Sequence, residues 1–276
     1  MPVIEVAGGR TELSISIVTV VFNNLKGLKK TAASVLAQDC ARIEWVIVDG
    51  GSTDGTAEFV AQLGARVAKF VSEKDRGIYD AMNKGLTLAS GDYVIFMNGG
   101  DVFASDEAVS HIAHAARSAG SPDLIFGESS LQFPDGRLVG RRVKAPARYI
   151  RHGQPALHQA TAFRREVHLK RPYDFDYRVC ADYAAVAAIM ADGGTWSCVA
   201  KPISVNAVGG EEFSNSHRRQ LFSDPWRIQR DILRLPLHAR LLSMARRHLS
   251  TALIDLLSAP GRWKSRGSLP SRSNSS

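Results

Sequence analysis

The stretch EWVIVDGGSTDGTAEFVAQLG, residues 44–64, combines an apolar strand, a glycine-rich turn and a helix. The strand ends at Asp49, and the turn that follows offers three helix-capping side chains, Ser52, Thr53 and Asp54. Apolar residues then recur at helical spacing up to Leu63. A strand that passes directly into a capped helix predicts one βα unit of a parallel sheet.

The same plan recurs on both sides of this unit. The apolar run SISIVTVVF, residues 14–22, precedes a helical pattern, and DYVIFMN, residues 92–98, is another strand. Alternating strands and helices with short links predict an α/β fold with a mainly parallel, Rossmann-like central sheet. After about residue 121 the pattern changes to a strand, a Pro-Asp-Gly turn, further extended segments and a short helix at CADYAAVAAIMADGG.

Three polar clusters follow the predicted strands: FNN at 22–24, DGGSTDG at 49–55 and NGGD at 98–101. The carboxyl ends of parallel strands share one edge of the sheet, and ligands bind in the crevice outside that edge. The clusters therefore predict a single ligand site. The glycine-rich turn alone is weak evidence, because it is neither a Walker loop nor GxGxxG and an ordinary capped turn would look similar.

Composition is that of an ordinary globular protein. The chain has 276 residues, of which 45% are hydrophobic and 22% charged. No run approaches the roughly 18 apolar residues of a membrane-spanning helix. The first residues lack the pattern of a secretory signal, so we expect a cytoplasmic protein. The three cysteines are widely spaced, which predicts neither a disulfide framework nor a zinc site.

The net charge of +8 is concentrated in the C-terminal part. Residues 217–276 contain 12 Lys+Arg and 3 Asp+Glu. We predict a basic amphipathic helical extension over 213–260, interrupted at Pro236, and a disordered tail over 261–276. The basic helices over 217–260 could lie on the anionic inner face of the plasma membrane, or pack on the domain or on a second subunit in an oligomer. Nucleic acid is disfavoured as a partner, because no recognised binding motif accompanies the charge.

Six blocks of sequence occur in a specific order. They are ISIVTVVFNN, IEWVIVDGGSTDGT, SEKDRGIYDAMNKGL, SGDYVIFMNGGDVF, HQATAFRR and ADY. Together they resemble glycosyltransferase family 2, particularly bacterial enzymes similar to the colanic acid and exopolysaccharide glycosyltransferases. The resemblance covers about residues 14–210 and is specific for the family, although not for donor or acceptor.

The resemblance implies a GT-A fold and a domain division. The N-terminal tail is 1–13 and the glycosyltransferase domain 14–212, with a nucleotide-binding part at about 14–120 and an acceptor part at about 121–212. The implied activity is inverting transfer of a sugar from a nucleotide-sugar donor to a saccharide or polyprenyl-linked saccharide acceptor. The implied setting is the biosynthesis of cell-surface polysaccharide or lipopolysaccharide.

By the same resemblance, the donor is expected to contact the strand ends and the loops beyond them. Residues 19–23 would line the nucleoside pocket, Asp49 would bind the base or ribose, and Asp75, Arg76 and Asn83 would border the sugar or diphosphate. The full donor set is Thr19, Val21, Phe22, Asn23, Asp49, Gly51, Asp75, Arg76, Asn83, Asn98, Gly99 and Gly100. Many relatives have two consecutive acids where Asp49 and Gly50 stand here, and any one of the loop residues could instead be ordinary surface polarity.

Relatives commonly carry a DxD-like acidic cluster where this chain has NGGD. A divalent cation, Mn²⁺ or Mg²⁺, would bridge the phosphates of the donor there, with Asp101 as its ligand and Asn98 assisting. One carboxylate can suffice, since Mg²⁺ is often held by one or two carboxylates plus phosphates and water. The alternatives are a simple turn with an acid at its rim, or an enzyme that needs no metal.

Asp182, at the start of a predicted helix, matches the position of the family's catalytic base. A carboxylate there would take the proton of the acceptor hydroxyl. Its alternative is an acid favoured by the helix dipole. His158 and Gln159 match a block near the acceptor pocket, and His158 as the base is less favoured than Asp182.

Two other function classes stay open from the sequence. A sugar nucleotidyltransferase would release pyrophosphate, but the chain lacks the glycine-rich, lysine-containing N-terminal signature of such enzymes. A non-catalytic nucleotide- or membrane-binding module would carry a decayed acidic cluster. The presence of Asp182 argues against the module, and sugar transfer in vitro would exclude it.

Overall fold

The structure is a computed structural model that describes residues 13–40, 42–133, 135–207 and 220–258. The chain divides into two compact units, Met1–Leu235 and Pro236–Ser276. Apart from residue 13, the predicted N-terminal tail lies outside the described residues, and so does the predicted disordered tail over 261–276.

The first half of the larger unit alternates strands and helices, as the sequence predicts. Its elements are β1 (Ile15–Val21), α1 (Leu25–Leu36), β2 (Ile43–Asp49), α2 (Thr56–Leu63), β3 (Lys69–Ser72), α3 (Ile78–Leu88) and β4 (Tyr93–Phe96). The strands lie in the order β3-β2-β1-β4, and every neighbouring pair is parallel. The predicted βαβ arrangement is confirmed.

The second half continues the same sheet with mixed strand directions. Its elements are β5 (Val102–Phe103), α4 (Ala108–Ser118), β6 (Leu124–Gln132), β7 (Leu138–Arg141), α5 (Pro146–Tyr149), β8 (Thr161–Arg164), α6 (Arg165–Lys170), α7 (Ala181–Ala191), β9 (Trp196–Ala207) and α8 (Gln220–Asp231). The sheet runs on from β4 through β8, β6 and β9 to β5, and β7 pairs with β6. The strand β8 is antiparallel to both of its neighbours, whereas β6 and β9 are parallel. The predicted hairpin is β6–β7.

The central strands are covered on both faces, which explains why they are apolar throughout. All seven residues of β1 are buried. Val18 and Val20 pack on one side in a cluster that includes residues of α3 and α7. Ile15 and Ile17 pack on the other side with residues of α1 and α4. Because both faces of the sheet are covered, the exposed place where loops converge is the edge at the carboxyl ends of the strands.

Two titratable side chains are built into this framework. Glu44 accepts hydrogen bonds from Ser16 Oγ at 2.5 Å and from Ser90 N at 2.6 Å. Burial raises the pKa of Glu44, but the hydrogen bonds together outweigh it and lower the pKa to about 2. His168 is fully buried and stacks on Phe163, with ring centroids 4.2 Å apart. Burial lowers the pKa of His168 to about 4.

The helix α8 lies in the larger unit, and the extension predicted over 213–260 stays a prediction. Its Asp224 is buried and accepts hydrogen bonds from Val179 N at 3.0 Å and Cys180 N at 3.3 Å, just before α7 begins. Ile228 is also fully buried. Two of the four buried residues of α8, Asp224 and Gln229, are polar, so a reading based on apolar spacing and net charge did not reveal this packing.

The smaller unit contains α9 (Leu237–Ser258), which begins directly after Pro236. Proline is favoured at the start of a helix, where its missing N–H would have no intrahelical partner. The sequence prediction of an interruption at Pro236 is confirmed. Within the described residues, no helix combines the length and the apolar character needed to cross a bilayer.

Candidate functional site

The three polar clusters meet at one edge of the sheet. Val21, Asp49 and Ser72 are register partners at the ends of β1, β2 and β3. The segment after β4 continues alongside β1, since Gly99 N donates to Val20 O at 2.9 Å. The predicted convergence of the strand ends is therefore confirmed.

The loops after β1 and β2 are joined by hydrogen bonds. Asn23, with a positive φ of 46°, donates from its backbone N–H to Ser52 Oγ at 2.7 Å and accepts from Thr53 N at 2.9 Å. Leu25 N donates to Asp54 Oδ2 at 2.8 Å. Hydrogen bonds from Thr56 Oγ1 and from Leu25 N–H lower the pKa of Asp54. The two loops therefore form one preorganised rim.

Asp49 is fully buried at the base of this rim. Its carboxylate accepts from Ser72 Oγ at 2.6 Å, from Ser52 N at 3.0 Å and from the Ser52 hydroxyl. Thr19, also fully buried, accepts from Trp45 Nε1 at 3.0 Å inside the core. Asp49 thus supports the strand end, whereas Thr19 packs inside the core and its contact with the sugar donor stays a prediction. Sequence reasoning missed Ser52 and Ser72 as partners of Asp49.

Phe22, Gly50 and Asp75 lie side by side on the exposed side of the rim. The Phe22 side chain is 63% exposed. A Cβ atom on Gly50 would lie 2.8 Å from Asp75 Oδ2 and 3.2 Å from Phe22 Cδ2, so a larger residue here would require these side chains to shift. Gly51, at φ +83°, packs against the backbone of Lys74. An aromatic face and a carboxylate are thereby presented together.

The segment between β3 and α3 connects the rim to the 173–175 loop. Arg76 donates to Asp80 Oδ1 at 2.9 Å and lies over the ring of Phe175, with 4.7 Å between guanidinium carbon and ring centroid. The hydrogen bond to Asp80 raises the pKa of Arg76 and lowers that of Asp80. Asn83 Nδ2 donates to Tyr173 O at 2.8 Å, and Asn83 Oδ1 accepts from Tyr173 N at 2.9 Å, so Asn83 positions this loop. Contact between Asn83 and the sugar donor stays a prediction.

Thr31 of α1 organises the NGGD loop. Its hydroxyl donates to Asp101 O at 2.7 Å and accepts from Gly100 N at 2.9 Å. Gly100 has φ +113°, a backbone conformation that residues other than glycine rarely adopt. Asn24 adds a second link, since its Nδ2 donates to Gly99 O at 2.9 Å. Nothing in the local sequence of α1 distinguished Thr31 from the other small residues of that helix.

Asp101 lies between two amide donors. Gln159 Nε2 donates to Oδ2 at 2.8 Å, and Asn206 Nδ2 donates to Oδ1 at 3.2 Å. Sequence reasoning named Gln159 and missed Asn206. The signal for Asn206 was an amide near the end of strand β9, which indicates a polar partner but not which one.

His158 links the NGGD loop to α7. Asn98 Nδ2 lies 3.1 Å from His158 Nε2, and Nδ1 of the same ring lies 3.7 Å from Asp182 Oδ2. With Asn98 as the donor, the ring proton is on Nδ1, facing Asp182. The side chains of His158 and Asp182 are each 20% exposed, so both remain open to solvent or substrate.

Tyr79 holds the beginning of α7. Its hydroxyl donates to Val179 O at 2.8 Å and lies 3.4 Å from Asp182 Oδ1. Burial, reinforced by the negative charge of Asp182, raises the pKa of Tyr79 well above its ordinary value. The phenol therefore stays protonated and remains a donor. Sequence reasoning did not single out Tyr79, which reads as an apolar position of α3.

The oxygen atoms near Asp101 fit a cation held largely by a substrate. Over the described residues, no group of three His, Cys, Asp or Glu side chains is arranged as a metal site. Asn98 Oδ1 is buried and has no hydrogen-bond partner among the described residues, and Asp101 supplies a carboxylate. Mg²⁺ and Mn²⁺ favour such oxygen ligands and take phosphates and water for the rest.

Comparison with known proteins identifies the family. The model of Glycosyl transferase family 2 matches residues 16–169. An uncharacterized glycosyltransferase of Mycobacterium tuberculosis is 32% identical over 244 residues, covering 84% of this chain and 89% of the relative. A PGL/p-HBAD biosynthesis glycosyltransferase of Mycobacterium bovis is 31% identical over 173 residues, covering 61% of this chain and 66% of the relative.

Solved structures share the fold at low sequence identity. S. aureus TarS 1–349 in complex with UDP-GlcNAc has a TM-score of 0.66 and 17% identity, covering 90% of this chain and 77% of that one. The mannosyltransferase PcManGT from Pyrobaculum calidifontis, in complex with GDP-Man and Mn²⁺, has a TM-score of 0.60 and 19% identity, covering 88% and 76%. The strand order, the family match and these likenesses agree: the chain belongs to glycosyl transferase family 2 and is a glycosyltransferase with a GT-A fold.

Proposed function

We propose that this glycosyltransferase moves a sugar, with inversion, from a nucleotide-sugar donor to a saccharide or lipid-linked saccharide acceptor. One observation carries the proposal. Asp101 and Asp182 both reach the dipeptide His158–Gln159, Asp101 through a 2.8 Å hydrogen bond to Gln159 and Asp182 at 3.7 Å from His158. The dipeptide thus brings a carboxylate suited to a donor-bound cation near a carboxylate suited to an acceptor proton.

The donor is a nucleotide sugar held by the rim at the ends of β1 to β4. Phe22 offers an exposed ring for a base, and Asp75 lies beside it. Buried Asp49 supports the rim through Ser52 and Ser72. Structural neighbours are bound to UDP-GlcNAc in one case and to GDP-Man in another, which supports a nucleotide sugar as the donor class.

The transfer is a single displacement. The acceptor hydroxyl loses its proton to Asp182 as its oxygen forms a bond to the anomeric carbon, and the bond from that carbon to the nucleoside diphosphate breaks. Attack opposite the leaving group inverts the anomeric centre. Tyr79 and the N–H of Tyr183, which donates to Asp182 Oδ1 at 2.8 Å, orient the carboxylate.

A divalent cation, Mn²⁺ or Mg²⁺, would be held by Asp101 and by Asn98 Oδ1. When bound, it would neutralise charge that develops on the departing diphosphate. Gln159 and Asn206 hold the Asp101 carboxylate in a fixed orientation from two sides. Such preorganisation reduces the rearrangement needed when donor and cation arrive.

The acceptor is a saccharide or a polyprenyl-linked saccharide of a cell-surface glycoconjugate, glycosylated at the cytoplasmic face of the membrane. The relative named for PGL/p-HBAD biosynthesis supports a cell-envelope product class. His158 and Gln159 would contact the acceptor sugar.

Thermal stability of the purified protein against UDP-, GDP- and dTDP-sugars, with and without Mn²⁺ or Mg²⁺, tests the donor. A ligand that binds only the folded state raises its stability. We expect a shift with one nucleotide class that grows with metal. Transfer with that donor, followed by NMR assignment of the product anomer, tests inversion. A retained anomer would remove Asp182 from the role of sole base, and pyrophosphate release from a nucleoside triphosphate would favour a nucleotidyltransferase.

A further inference from the structure

The hairpin β6–β7 and the segment after it carry an unbalanced positive charge. From Arg137 to Arg151 the chain has six cationic residues and no acidic one. They are Arg137, Arg141, Arg142, Lys144, Arg148 and Arg151. Asp135, just before them, pairs with Arg137 at 2.5 Å, and this is the one acidic residue of the region. We call residues 135–151 the basic hairpin.

The charges of the basic hairpin are directed outward. Arg142, Lys144 and Arg148 are exposed. Across the described parts of the chain, none of these three lies within ion-pair distance of a carboxylate. Residues 1–216 as a whole are close to neutral, because the excess charge of the chain lies beyond them. The basic hairpin is therefore a local cationic surface on a nearly neutral body.

Aliphatic side chains are exposed within the same surface. Leu138 is 60% exposed and Val139 is 47% exposed, both on the short edge strand β7. Successive side chains of a strand point to opposite faces, so each face of the hairpin presents one of them. Lys144 lies over the ring of Tyr149 at 6.0 Å, which keeps an aromatic side chain near these cations.

We infer that the basic hairpin docks the enzyme on a membrane surface containing anionic phospholipids. Cations attract the headgroups, and the exposed aliphatic side chain on the face that meets the bilayer enters the boundary between headgroups and acyl chains. A nucleic acid would use the cations and leave Leu138 and Val139 in water. A second copy of the chain would bring the same positive charge against this surface. The lipid surface is thus the partner that satisfies both features.

The basic hairpin is connected to the catalytic residues. Tyr183 of α7 donates from its hydroxyl to Ile150 O at 2.6 Å, and Tyr183 directly follows Asp182. On the other side, Leu131 of β6 is the register partner of Asn206, which donates to Asp101. If the proposed function holds, docking through this surface would place the catalytic site next to acceptors that are carried on lipid.

Co-sedimentation of the full chain with phosphatidylcholine vesicles, with and without phosphatidylglycerol, tests the inference. We expect binding that requires phosphatidylglycerol and weakens with salt. Arg142→Gln with Arg148→Gln should lower partitioning roughly 30-fold, since each cation contributes about a factor of five. Leu138→Ser with Val139→Ser should lower it as well. The cations of the C-terminal extension act equally in all variants, so the difference isolates the hairpin.

Arg117→Gln with Lys201→Gln, which removes two exposed cations on α4 and β9, is the matched control and should bind like the wild type. Wild-type vesicle binding by the Arg142/Arg148 variant would overturn the inference. The inference would also be overturned if this variant kept its vesicle binding but lost the binding of a single-stranded oligonucleotide, or lost self-association. The donor-induced thermal shift is measured on every variant. If no donor binds but the hairpin variants still lose vesicle binding, the proposed function fails and the docking surface stands.

Discussion

Nδ1 of His158 lies 3.7 Å from Oδ2 of Asp182, although strand β8 and helix α6 separate the two residues along the chain. The next residue, Gln159, contacts Asp101. One short turn, His158–Ala160, therefore spans the space between the two acidic side chains. This arrangement makes the roles of the two acids separable by experiment.

Asp182→Asn should lower kcat by about 10²–10⁴-fold, because an amide cannot accept the acceptor proton. Donor binding, measured by thermal shift, should be unchanged. Asp192→Asn, at the opposite end of α7, is the control, since Asp192 pairs there with Arg171 and should not affect transfer. Near wild-type turnover by Asp182→Asn, together with loss of turnover in His158→Gln, would reassign the base to His158.

Asp101→Asn should remove the metal-dependent part of donor binding and reduce kcat/KM by about 100-fold, through loss of charge stabilisation at the diphosphate. The measurement is donor titration with and without Mn²⁺. Asp106→Asn changes an exposed acid in the loop that leads to α4 and should leave the metal response intact. A variant at 101 that still responds fully to Mn²⁺ would exclude Asp101 as the metal ligand.

Tyr79→Phe should lower the free energy of unfolding by about 1–2 kcal/mol, since Val179 O loses its hydrogen-bond donor. It should also reduce kcat while the donor-induced thermal shift stays the same, because Tyr79 orients Asp182 and does not contact the donor. Tyr177→Phe is the control, as the Tyr177 hydroxyl makes no hydrogen bond among the described residues. Equal effects of the two substitutions on kcat would argue against a positioning role for Tyr79.

Acid should destabilise the protein through His168, whose pKa is lowered from 6.5 to about 4 by burial. The unfolded chain takes up a proton on this residue below pH 6.5, whereas the folded chain does so only near pH 4. The free energy of unfolding should therefore fall as the pH drops from 6.5 to 4, by up to about 3 kcal/mol. Urea unfolding across this range measures the slope.

The variant His168→Asn is the comparison for the pH dependence of the free energy of unfolding, because its amide keeps a hydrogen-bond donor for Arg171 O. The variant should be less stable at neutral pH, because a ring that packs on Phe163 is lost. Its stability should depend less on pH between 6.5 and 4. An unchanged slope would assign the acid sensitivity between pH 6.5 and 4 to groups other than His168, whereas Glu44 acts below about pH 4.5.

The order of strands and helices follows from local sequence. Apolar runs of strand length, helical spacing in the segments between them and turn residues at the junctions are all properties of neighbouring residues. Because parallel strands end at a common edge, the meeting of FNN, DGGSTDG and NGGD could also be predicted without coordinates. Asp101, Asp182, His158 and Gln159 were named because they match blocks of the resembling family, and the fold brings them into one chain of contacts.

Other parts of the site depend on register and packing between distant segments. Asn206 reaches Asp101 across 105 positions of sequence, and Thr31 reaches the same residue across 70. The identity of an amide or hydroxyl indicates that it needs a partner, and only the pairing of β6 with β9 or the packing of α1 decides which one. Similarly, buried Asp224 joins α8 to the larger unit despite the basic composition of its segment. Local sequence therefore determined the α/β layers and the edge that holds the site, while tertiary structure decided the partners that orient each acid, because side-chain contacts between remote segments are set by packing that no local pattern encodes.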